Sequence, residues 1–104
     1  MEIIKEHRFT KQVAITKIDR LLAKLAEEHN ELITSYSHAW SDDTMQFSLQ
    51  ARGFNVNGCI MVTDTNAILQ VDVPLLLRPL EGGIRSTIEK IVDDLLNERA
   101  SENG

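Results

Sequence analysis

The chain has 104 residues, 42% of them hydrophobic and 26% charged, with a formal net charge of −5. A domain of that length hides roughly 60–70% of the surface its unfolded chain exposes, so folding requires neither metal nor disulfide, and the apolar content excludes intrinsic disorder. The acidic balance argues against nucleic acid, whose phosphates call for a basic surface, and against electrostatic attachment to anionic membranes.

One Trp, one Tyr and three Phe leave a core that must be mostly aliphatic. Cys59 is the only cysteine, so no internal disulfide can form, which suits a reducing compartment. The opening Met1–Phe9 lacks the apolar stretch of a secretion signal, and no run approaches the ~20 apolar residues of a membrane span. A cytoplasmic location is the expectation.

Residues 3–9 alternate, with Ile3, Lys5, His7 and Phe9 on one face, and predict a short first strand. Thr10 stands where a helix N-cap belongs. From Lys11 to about His29, Ala14, Ile18, Leu21, Leu22, Leu25 and Ala26 recur at helical spacing opposite charged residues, which predicts one amphipathic helix.

Four strands are then expected. Leu32, Tyr36 and Trp40 share one parity over 32–40. Met45, Phe47, Leu49 and Ala51 alternate with polar residues, as do Val56, Gly58, Ile60 and Val62, and again Ala67, Leu69, Val71 and Val73. Breaks at Ser41-Asp42-Asp43, Arg52-Gly53 and Asp64-Thr65-Asn66 have turn compositions short enough for hairpins. Pro74 and Pro79 end the sheet, because proline cannot donate to a ladder. A last helix is predicted from about Gly83 to Asn97, with Ile84, Ile88, Ile91 and Leu95 forming its apolar stripe.

The order β-α-β-β-β-β-α fixes a topology. The three hairpins give the third strand two neighbours, so an all-antiparallel first strand can only take the open edge of the fifth. The predicted fold is α+β, a five-stranded antiparallel sheet in the order 2-3-4-5-1. Both helices lie on one face, as a reduced helix-grip arrangement. Residues 1–99 are expected to form the single domain, and 100–104 a disordered tail.

No candidate chemistry assembles from these residues. His7, His29 and His38 fall on three different elements, without the close spacing of metal ligands, and His29 suits a helix C-terminus through the helix dipole. Cys59 faces away from Val56, Ile60 and Val62 with no Lys or Arg beside it, so nothing activates its thiol. Asp42-Asp43 reads as a solvated turn, since no calcium-loop pattern of oxygen ligands follows. Gly82-Gly83 lacks the further glycines and Lys of a phosphate loop, and reads as the chain turning from sheet to helix. The expectation is therefore no enzyme, no metal and no cofactor.

The segment Val73 to Leu80 is different. Three consecutive leucines in a strand cannot all face one core. They either plug the space under the last helix, the plainer reading, or make a contact surface. The candidate interaction residues are Leu75, Leu76, Leu77 and Leu80.

A resemblance runs from Trp40-Ser41-Asp42-Asp43-Thr44 through Phe47, Gly53 and Val56-Asn57-Gly58-Cys59-Ile60-Met61-Val62. It continues over Leu75-Leu76-Leu77-Arg78-Pro79-Leu80, Ile84, Ile88-Glu89 and Leu95-Leu96. In these residues the chain resembles the polyhydroxyalkanoic acid system proteins, also described as a polyhydroxyalkanoate granule-associated region. The first strand and helix match that family more in pattern than in letters. Val73-Pro74 is a departure, standing where the family tends to show a glycine, and it bears on the geometry of the leucine segment rather than on the fold.

The resemblance implies a bacterial, non-catalytic accessory or binding protein at polyester storage granules, with the granule surface or granule proteins as partners. The alternative is a small carrier that holds an acyl or other hydrophobic ligand between the sheet and the C-terminal helix, although so short a chain is expected to leave little room for a cavity. Nothing in the sequence decides between a monomer and a homodimer.

Overall fold

The computed structural model describes residues 1–97. The expected tail at 100–104 lies outside the described residues. Its elements run β1 (Glu2–Glu6), α1 (Lys11–Ile18), α2 (Leu21–Glu28), β2 (Ile33–Ser41), β3 (Thr44–Ala51), β4 (Phe54–Val62), β5 (Asn66–Asp72), a 3-10 turn (Leu75–Leu80) and α3 (Glu81–Asn97).

The five strands form one antiparallel sheet in the order β1-β5-β4-β3-β2, as the hairpin argument requires. Alternation decides what faces the helices. Met45, Phe47 and Leu49 of β3 are buried, as are Ile60 and Val62 of β4 and Ala67, Leu69 and Val71 of β5, while their polar neighbours point away. Ile3 of β1 lies opposite Leu69 and completes that face. Ala14, Ile18 and Leu22 meet it from one side, and Ile91, Val92 and Leu95 from the other.

The turns show why these strands reverse where they do. Between β3 and β4, Arg52 (φ 53°) and Gly53 (φ 84°) both take the left-handed conformation, the pair that a two-residue type I′ hairpin needs. Asp42 (φ 55°) opens the β2–β3 turn. Gly58 answers a different demand. A Cβ there would stand 2.5 Å from the Gln70 carbonyl oxygen and 2.6 Å from the Phe47 ring, so only glycine lets β3, β4 and β5 approach this closely.

Three expectations change. The first strand stops at Glu6, although His7 N–H still reaches the Thr65 carbonyl at 2.9 Å. The predicted first helix is two helices. Thr10 caps α1 as expected, its Oγ1 accepting from Val13 N–H at 3.2 Å, but the ladder tightens after Ile18, where Arg20 N–H bonds back to Lys17 carbonyl. At this joint Asp19 Oδ1 accepts from Trp40 Nε1 at 2.7 Å and meets His38 Nε2 at 3.1 Å, which ties it to β2. Finally, α3 begins at Glu81, so Gly82 and Gly83 lie in its first turn rather than in a turn before it.

Candidate functional site

The leucine segment does not continue the sheet. Pro74 (φ −54°) precedes it, Leu77 N–H bonds to the Pro74 carbonyl at 2.9 Å, and the chain winds as a tight 3-10 turn that includes Pro79. In that winding, residues three apart share a face, so the strand alternation assumed from sequence no longer applies. Leu75 and Leu76 are each 77% exposed and Leu80 is 62% exposed. Leu77 alone packs against the core. The plug reading therefore fits Leu77, while Leu75 and Leu76 face outward, and Leu80, three residues on from Leu77, is largely exposed yet also borders the space behind the turn.

Behind this turn lies a cavity of about 560 Å³, a feature the short chain was not expected to hold. Its origin is the placement of α3. All four buried residues of that helix, Ile91, Val92, Leu95 and Leu96, belong to its second half. Its first half turns Gly83 and Thr87 toward the sheet along with Ile84 and Ile88, and the two small side chains leave space unfilled. The floor is Phe47, Leu49, Val56, Leu69 and Val71. Leu22 and Leu25 of α2 make one wall, Ile84 and Ile88 of α3 another, and Leu77, Pro79 and Leu80 of the 3-10 turn stand at one side.

Only two lining side chains carry polar groups. His29, the C-cap of α2, and Thr87 of α3 are both half-buried, and neither side chain has a hydrogen-bond partner among the described residues. His29 was read from sequence solely as a helix-end residue. That Thr87 and the strand residues Phe47, Leu49 and Val56 bound a cavity was not foreseen. The available signal was the pair of small residues, Gly83 and Thr87, on the same side of the last helix as Ile84 and Ile88.

The remaining candidates stay apart from the cavity. His7 is buried, with its Nε2 2.8 Å from the Thr63 carbonyl and its Nδ1 accepting from Phe9 N–H at 3.2 Å. The Nε2–H tautomer satisfies both, so His7 is a structural bracket between the end of β1 and the β4–β5 turn. His38 shares Asp19 with Trp40. Asp43 pairs with Lys11 at 3.0 Å. The pair links α1 to the β2–β3 turn, and the hydrogen bond and charge of Asp43 raise the Lys11 ammonium above its ordinary value. Cys59 sits on the outer face with its Sγ 3.9 Å from Gln70 Oε1. No group of three or more His, Cys, Asp or Glu among the described residues could hold a metal ion. No helix among them is long and apolar enough to cross a membrane.

The family model described as "Putative polyhydroxyalkanoic acid system protein (PHA_gran_rgn)" matches residues 1–96. No curated protein matches the chain. Among solved structures, the chain is similar to the crystal structure of the quaternary ammonium Rieske monooxygenase CntA in complex with substrate L-carnitine, with a TM-score of 0.49 and 9% identity. That match covers 92% of this chain and 36% of the other, so the chain spans about a third of that protein.

Proposed function

The chain belongs to the polyhydroxyalkanoic acid system family, and from that premise we propose that it is a non-catalytic accessory protein that seats on the surface of polyester granules. The observation that carries the reading is the outward 3-10 turn. Leu75, Leu76 and Leu80 crowd three large exposed apolar side chains onto six residues, and contiguous exposed hydrocarbon marks a contact surface. A polyester granule offers an apolar face without charge, to which an acidic protein can attach only by burying hydrocarbon. Each leucine that moves fully from water into such a surface contributes about 1.5–3 kcal/mol, so attachment through this turn is weak and reversible.

The non-catalytic part of the reading is supported by the cavity wall, where His29 is the one titratable side chain. Acid–base or nucleophilic chemistry needs a second group held within hydrogen-bond reach of the first, and the His29 side chain has no such partner among the described residues.

Leu75→Asp combined with Leu76→Asp tests the proposal, because both side chains point outward and their loss leaves the core intact. Leu77 is spared since it packs inward. Purified wild type should co-sediment with isolated polyester granules, whereas the double variant stays in the supernatant with an unchanged far-UV spectrum. Equal sedimentation of the two proteins would overturn the reading.

A further inference from the structure

We propose that the cavity beneath the first half of α3 is a binding site for one aliphatic carboxylic acid of the fatty-acid class. The volume of about 560 Å³ falls in the range of small-molecule sites, which are typically clefts open to solvent on one side. Its walls decide the chemistry. Leucine, isoleucine and valine side chains with one phenylalanine supply methyl and methylene surface, with none of the clustered polar groups that a sugar, nucleotide or peptide backbone would need.

The two polar exceptions point to the headgroup. Thr87 has a hydroxyl and His29 an imidazole N–H, each half-buried with hydrogen-bonding capacity that no described residue uses. A carboxylate is acceptor-only and takes its strongest bonds from such donors. A wall of hydrocarbon with two donors thus matches an alkyl chain that ends in one anionic oxygen pair.

This inference goes beyond the granule reading and shares only Leu80 with it: Leu75 and Leu76 do not line the cavity. The test is calorimetric titration of the full chain with dodecanoate. One equivalent should bind, and butyrate, several methylenes shorter, should bind at least about a hundredfold more weakly. Ala51→Phe places a ring into the cavity from the end of β3 and should abolish dodecanoate binding. Val56→Phe, from the facing strand, does the same should the first variant lose its cooperative melt. His29→Leu with Thr87→Val should weaken dodecanoate at least about tenfold.

Binding at several equivalents, or unchanged binding by a folded cavity-filling variant, would overturn the site. Unchanged affinity in the His29/Thr87 variant would overturn the assignment of a carboxylate ligand. The Leu75→Asp, Leu76→Asp variant should bind dodecanoate like wild type. Its failure to sediment with granules while still binding acid separates the two proposals, and loss of both in this variant would overturn the independence claimed for the cavity.

Discussion

Gly58 shows how much one side chain can settle. From sequence it is an inward position in a strand that reads Val56, Gly58, Ile60, Val62, and a glycine there looks like a weak point in the alternation. In the fold the Phe47 ring occupies the volume a side chain would take, and the Gln70 carbonyl closes in from the other strand. Gly58→Ala should therefore destabilise the protein by about 1–3 kcal/mol, as overpacking does when backbone is among the atoms that must yield. Urea unfolding of the variant checks this, and an unchanged midpoint would mean that the three strands can spread at no cost. Turn residues were legible for the opposite reason. Arg52-Gly53 and Asp42-Asp43 act through local backbone preference, which a sequence displays directly, whereas the demand on Gly58 comes from residues eleven and twelve positions away.

The elements were legible wherever period and burial agree. The β3 alternation and the Thr10 cap could be read because the nearest neighbours in sequence supply the whole signal. The break at Asp19 could not, since the partner that holds the joint, an indole on β2, is brought near only by the folded sheet. The same holds for the tie between β1 and α3. Lys5 Nζ lies 3.4 Å from Glu89 and 3.3 Å from Asp93, residues at the far end of the chain. Burial by itself would lower the Lys5 value, but Asp93 and Glu89 together outweigh it and raise the ammonium above 10.5. A raised folded-state value means that the stabilisation is complete below the ordinary lysine range and is lost as pH climbs through the higher value. Lys5→Met should lose under about 1 kcal/mol at neutral pH, and the gap between variant and wild type should close in strongly alkaline solution. Unfolding curves across that range would contradict the assignment if the gap stayed constant.

At the scale of the whole molecule, sheet order and layer arrangement follow from counting hairpins, and they hold. What the sequence could not convey was that burial along α3 is uneven, because a stripe of Ile84, Ile88, Ile91 and Leu95 looks uniform on paper. Its second half is buried and its first half roofs a cavity, so the expected seal of two helices over the sheet is closed at one end and open at the other. The leucine turn was singled out by composition, but its outward display depends on a 3-10 winding that consecutive leucines between prolines do not announce. The Asp19 joint carries one more consequence. Trp40 is the sole indole of the chain, hydrogen-bonded there and absent from the cavity lining. Its fluorescence emission should thus shift when that corner comes apart in denaturant and stay constant while a guest enters on the other side of the helices. An optical assay for ligand uptake would have to bring its own dye.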